Sequence, residues 1–140
     1  MSRGKSSSEM QESSEMILGV GLDVVAVGRV ERSLLHDGAE FVERVFTAAE
    51  QTECEARADR AQALAARFAA KEACFKALGT GWAVGVSFQQ IEVTSGDAGR
   101  PELRLSGAAA ARAEAMGVRS VHVTLSHERD YAAAVVILEG

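Results

Sequence analysis

Four residues in this chain are of types, and in settings, that handle phosphate chemistry. Asp23 stands in "GVGLDVV", on the same face of an alternating segment as Gly19 and Gly21. Glycine within a strand marks close approach of a ligand or another backbone. A carboxylate at such an opening is a ligand for a hard cation, or simply a strand end bonded to turn amides. Glu72 and Lys76 stand in "RFAAKEACFKALG", four residues apart on one side of a helix. They form either an ordinary surface pair or half of a metal and phosphate site. In the second case Asp23 and Glu72 supply two carboxylates for magnesium, whose remaining positions take water and substrate phosphates, and Lys76 adds a point charge. His127, in "LSHERDY", sits where a hairpin turns. It is placed either to exchange a proton or donate to phosphate, or to bond the turn backbone.

Other candidates carry less. His122 alternates onto the Thr124 and Ser126 face and reads as a solvated sheet residue, and the two histidines lack zinc spacing. "LGTGWAVG" can bring backbone amides near an anion, but lacks the ending of a Walker loop, and "GVGLD" is no dinucleotide fingerprint. Arg29 and Arg32 are three apart on one helix face, with Arg44 further on; together they suit an acidic partner, or a solvated face neutralised by Glu31 and Glu43. Cys54 and Cys74 form no metal or redox motif, and Cys74, in mid-helix, reads as a small core residue.

Elements must hold these groups. "ILGVGLDVV" alternates as a strand, with Val20, Leu22 and Val24 on one face and Gly19, Gly21 and Asp23 on the other. A short helix is predicted over Gly28–Leu35, and "AEFVERVF" is a second apolar-periodic piece. Thr47-x-x-Glu50 is a capping box that opens another helix. The longest helix runs over Ala61–Leu78, with Leu64, Phe68, Phe75 and Leu78 as its core stripe and Gly79 as its stop. "SFQQIEVTS" and "PELRLSG" read as strands around "GDAGRP", "GAAAARAEAMG" as a helix, and the C-terminal segment as a hairpin turning at Glu128–Asp130. Helices and strands without βαβ rhythm predict an α+β fold with a mainly antiparallel sheet packed on a long helix.

The chain has 140 residues and a net charge of -5, which bounds it to one domain and argues against a general nucleic-acid binder. Residues 1–15, rich in serine and glutamate, read as a disordered leader ahead of a domain over 16–140. No stretch has the roughly 18 apolar residues of a membrane span, and the thiols fit a reducing, cytoplasmic setting.

In order, "GVGLDVV", "ERVFTAAE", "RFAAKEACFKALG", "FQQIEV", "GRPELRLSG" and "LSHERDYAAAVVI" resemble the holo-acyl-carrier-protein synthases, the small phosphopantetheinyl transferases of bacterial fatty-acid synthesis. The resemblance covers Met16 to Gly140, and "RFAAKEA" with its following lysine is the most specific part. It implies the phosphopantetheinyl transferase fold, a homotrimer with sites between subunits, and transfer of the 4′-phosphopantetheine arm of coenzyme A to a serine of acyl carrier protein, releasing adenosine 3′,5′-bisphosphate. It also implies roles. Asp23 and Glu72 hold magnesium, Lys76 contacts phosphate, and Glu72, Lys76 and His127 form the catalytic set. Arg67, Lys76, Gly79, Thr80, Gly81, Arg100, Pro101 and His127 line the coenzyme A site, and Arg29 and Arg44 face the carrier protein. Metal-bound water, Glu72 and His127 are the candidates to accept the serine proton. The chain departs from the pattern at "HDGAEF", where relatives carry more basic residues, and between Glu50 and Arg60. A non-catalytic trimeric module binding carrier protein or a nucleotide would bear the same resemblance.

Overall fold

The computed structural model describes residues 16–79 and 85–140. The leader over 1–15, together with Thr80 and Gly81, lies outside the described residues. Strand β1 (Ile17–Ala26) leads into helices α1 (Val27–His36), α2 (Ala39–Val45), α3 (Ala48–Glu55) and the long α4 (Arg60–Leu78). Strands β2 (Ile91–Ser95) and β3 (Pro101–Leu105), helix α5 (Gly107–Met116) and strands β4 (Ser120–His127) and β5 (Tyr131–Glu139) follow. All strand pairs are antiparallel: β1-β5-β4 form one sheet and β2-β3 another. The α+β architecture with a mainly antiparallel sheet on a long helix is the one the sequence predicts.

Helix α4 is the axis of the molecule. It packs against β1, β5 and β4 and meets α1, α3 and β2 elsewhere along its length, so fourteen of its nineteen residues are buried. A helix apolar on nearly every side belongs in a core. Alanines at 65, 66, 69, 70, 73 and 77 let strands and helices come close, while Leu64, Phe68, Phe75 and Leu78 fill the wider gaps. Gly79 ends the helix in the left-handed conformation, φ 72°, as its place after the last apolar residue predicts. The Arg112 Nε donates to the Leu78 carbonyl at 3.0 Å, satisfying one of the orphaned acceptors of that terminus.

The glycine face of β1 is the inward one. A Cβ built on Gly21 would stand 1.7 Å from the Ala73 carbonyl oxygen, and one on Gly19 2.2 Å from that of Ala77. Backbone therefore lies on backbone, and the apolar Val20, Leu22 and Val24 face outward, each more than half exposed. Alternation alone gives the period of a strand and not the side that is buried.

Two further differences have local causes. Segment 87–95 begins as a 3-10 turn at Phe88–Gln90 before the strand starts at Ile91. Gln90 bonds the Ala109 amide and the Gly85 carbonyl, so its side chain ties this turn to the start of α5. In the β2–β3 connection Ala98 adopts φ 58°, a conformation that usually falls to glycine.

The Gly21 contact yields a matched prediction. Gly21→Ala should destabilise the protein by about 3 kcal/mol, at the upper end of overpacking costs, because the facing atom is backbone. Gly28→Ala, whose new methyl meets only the mobile Arg32 guanidinium, should stabilise by about 0.5–1 kcal/mol through helix propensity. Urea unfolding of both variants measures the contrast, and equal effects would refute the close approach.

Candidate functional site

The approach of β1 to α4 sets Asp23 beside the C-terminal half of the helix. Lys76 Nζ lies 3.0 Å from Asp23 Oδ1 and donates also to the Leu22 carbonyl at 2.9 Å. The ammonium therefore spans strand and helix, and its ionic partner is Asp23 rather than the i−4 residue Glu72. Its side chain remains about half exposed (55%), so it can also turn toward a ligand. Glu72 lies one turn earlier, and its proton affinity is raised, first by burial and then by the negative charge of Asp23. The charges of Arg29 and Lys76 act in the opposite sense. Two carboxylates that repel one another through a partly desolvated gap are suited to a hard divalent cation, which would relieve both effects. The oxygen donors of Asp23 and Glu72 are of the chemistry magnesium takes, and among the described residues no third acidic, histidine or cysteine side chain joins them.

Glu72 opens onto a groove of about 330 Å³ between α1, α2 and α4. Its floor is aromatic, built from Phe41, Phe68 and Phe88, and Arg29 and Arg44 line the same groove. The Arg29 guanidinium lies over the Phe68 ring, 5.4 Å from its centre. Such an arginine is held by the ring face while its N–H groups remain free for an anion. The groove thus joins an apolar bed to a cationic rim, with a carboxylate at one side.

A second groove, of about 240 Å³, shares no lining residue with the first. Arg67, Pro101 and His127 are gathered here, together with Arg57 and the Thr94–Ser95 stretch of β2. Arg67 is buried: it pairs with Glu53 and donates to the Ala63 carbonyl at 3.2 Å, and its Nε has no partner. His127 Nε2 stands 3.8 Å from Asp59, which Arg57 grips with two hydrogen bonds of 2.8 and 3.0 Å. Arg100, exposed, immediately precedes Pro101 of this groove, and Gly79 lies at the end of α4.

The sequence-predicted residues therefore fall into two sets. Glu72, Arg29 and Arg44 line the first groove, and Asp23 and Lys76 pair with each other across β1 and α4, whereas Arg67, Pro101 and His127 line the second. Within a single copy of the chain Glu72 and His127 line different grooves, and Lys76 lines neither. Glu53, Arg57 and Asp59, from the segment least like the family pattern, form the charged surroundings of Arg67 and His127. Lys71 was likewise missed. Its spacing carries the signal, because Leu64, Phe68, Lys71, Phe75 and Leu78 follow one another at steps of four, three, four and three along a single stripe. The cysteines behave as core: both are buried, and burial pushes the Cys74 thiol up to about 12. His122 is exposed on its strand as expected, with Nε2 2.8 Å from Glu139.

Comparison with known proteins agrees with this architecture. Residues 19–136 match the model of the 4′-phosphopantetheinyl transferase superfamily. A holo-[acyl-carrier-protein] synthase of Solidesulfovibrio magneticus is 51% identical over 125 residues, covering 89% of this chain and all of the relative. The crystal structure of the synthase from Neisseria meningitidis superposes with a TM-score of 0.82 at 36% identity, over 89% of this chain and 100% of that one. That of the Helicobacter pylori synthase, a complex with coenzyme A, gives 0.75 at 29% identity, over 85% and 98%. With the carboxylate pair, the arginine-rimmed groove and these matches in hand, the chain belongs to the holo-[acyl-carrier-protein] synthase family of 4′-phosphopantetheinyl transferases.

Proposed function

We propose that this protein transfers the 4′-phosphopantetheine group of coenzyme A to a serine of apo-acyl carrier protein, leaving adenosine 3′,5′-bisphosphate, in cytoplasmic fatty-acid synthesis. The observation that carries the reading is the meeting of Asp23, Glu72 and Lys76 across β1 and α4, beside a groove that suits an acidic protein. Residues 16–140 act as one domain, supported by the single buried cluster of the described residues. Among the described residues no helix is long and apolar enough to cross a membrane.

Asp23 and Glu72 would hold magnesium, whose positive charge, when bound, offsets that of the pyrophosphate and of the departing bisphosphate. Lys76, already fixed by Asp23 and the Leu22 carbonyl, presents its ammonium to the same phosphates. Arg29 and Arg44 receive acidic side chains of the carrier, while Phe41, Phe68 and Phe88 take apolar ones, so the carrier serine arrives oriented toward Glu72. Arg67, with one unpartnered donor, and His127 bind the coenzyme A phosphates in the second groove, which Pro101 and the adjacent Arg100 border. Gly79, Thr80 and Gly81 would bind the same coenzyme A. Proton removal from the serine falls to Glu72 or His127, both of which are reachable from a groove.

The chain acts as a homotrimer. Two observations support this: Val20, Leu22 and Val24 form an apolar outward face on β1, and the two grooves of one copy each hold only part of the predicted set. Neighbouring copies would supply complementary halves of each site.

Two variants test the reading. Glu72→Gln should abolish the phosphopantetheine mass gain of apo carrier protein incubated with coenzyme A and magnesium, as followed by mass spectrometry. The same variant should melt higher than the parent at neutral pH in a chelating buffer. Its raised proton affinity means that ionised Glu72 opposes folding, a cost present above its folded pKa and lost as pH falls through that pKa. The two melting curves should therefore converge in mild acid, and a parent as stable at neutral pH as the variant would contradict the carboxylate repulsion. Arg29→Glu should raise the carrier KM about tenfold while that for coenzyme A changes little. Equal changes in both would remove Arg29 from the docking surface.

A further inference from the structure

One ion pair lies outside both grooves and is sealed from water. Lys71 Nζ is 2.8 Å from Glu50 Oε1, and neither side chain has any exposure. Lys71 also donates to the Phe88 carbonyl at 3.0 Å and to that of Ile91, so all three of its protons have acceptors. Glu50 accepts from the Thr47 amide at 2.9 Å through Oε1 and from the Val93 amide at 2.7 Å through Oε2. It thus closes the capping box of α3 and holds a strand with the same carboxylate. Four pieces of chain meet at this point: α4, the start of α3, the 3-10 turn at Phe88, and β2.

Stability alone is a weak reason for such a pair. Well-packed apolar side chains of similar volume usually stabilise a core as well or better, because two charges need not leave water. What apolar packing cannot supply here is register. Contacts of the α4 alanines change little with a small axial shift, and the packing of Phe68 and Phe75 resists such a shift less sharply than directional bonds do. Hydrogen bonds from one ammonium to two fixed carbonyls and a fixed carboxylate permit a single axial position. The next residue is Glu72, on the adjoining face, and Phe88, whose carbonyl Lys71 holds, floors the groove onto which Glu72 opens. Val93, whose amide Glu50 holds, lines the groove of Arg67 and His127.

We propose that Lys71 and Glu50 are positioning residues of the transfer reaction: their buried pair sets the axial register of α4 against the 88–93 segment, and so places Glu72 relative to both grooves. This rests on the transferase reading above. A shift of one residue along a helix moves a side chain by about 1.5 Å, and misplacement by about 1 Å costs on the order of 100-fold in rate.

The test uses the full chain with Lys71→Met, Glu50→Leu and the double variant, following melting temperature and steady-state kinetics together. Each single variant strands a buried charge and should lower Tm by roughly 10 °C or more. The double variant strands no charge and should melt above either single variant, though below the parent because the Val93 amide and the Phe88 and Ile91 carbonyls lose their partners. Its kcat should remain about 100-fold down, with the KM for coenzyme A within about threefold. A merely structural pair would restore kcat along with Tm, and that result overturns the proposal. Should the double variant fail to fold, Glu50→Asp decides, since it keeps the charge and the accepting oxygens but shortens their reach by a methylene. A kcat about tenfold lower at unchanged coenzyme A KM supports positioning, and an unchanged kcat overturns it. The parent is assayed alongside: a parent that modifies no carrier protein ends the transferase reading, and this inference with it, whereas an active parent with an active, stable double variant ends the inference alone.

Discussion

The contact between the backbone of β1 and the backbone of α4 governs what the rest of the molecule can do. Ordinarily a helix lies about 10 Å from a sheet because side chains fill the space between them. Here Gly19 and Gly21 leave that space empty, and the carbonyls of Ala73 and Ala77 move into it. The consequence is chemical as well as steric. Asp23, two residues beyond Gly21 on the same face, is carried to within ion-pairing distance of Lys76 and into the field of Glu72. Two like charges in each other's field are an unfavourable arrangement, and such arrangements cluster at functional sites.

Close approach on one side demands fixation on the others. With alanine at eight of its nineteen positions, α4 gains few interlocking contacts there, and the aromatic residues Phe68 and Phe75 anchor it mainly through Phe41 and Phe88. The sealed Lys71–Glu50 pair complements that anchoring with directional bonds. Hydrophobic packing thus supplies cohesion, and a small number of polar contacts supplies position.

Much of this was legible in the residues. The capping box at Thr47 and Glu50, the stop at Gly79, the core stripe of α4 and the final hairpin all rest on local rules, and the structure follows them. The orientation of β1 was not legible, since Val20, Leu22 and Val24 look like an inward face until the glycines are recognised as the packing surface. Lys71 was passed over for a related reason. A lysine in a helix is taken for a solvated residue, although its place on the stripe between Phe68 and Phe75 says otherwise. Glu50 was hidden by having an explanation already, as a cap, when its second oxygen holds a distant strand. The separation of Arg67 from Glu72 was legible in part, since five residues along α4 set them about 140° apart, whereas the groove that His127 enters was not, because a strand end does not reveal it.

The alanine packing of α4 bears on how this protein can diversify. Almost any enlargement along that helix would have to displace a strand, so its sequence is closed to gradual change. The outward residues of α1 and α2 are packed on one side only and can vary in bulk and charge without disturbing it. Adaptation to a different carrier, whether by natural drift or by directed evolution, should therefore accumulate in those peripheral residues while the central helix stays as it is.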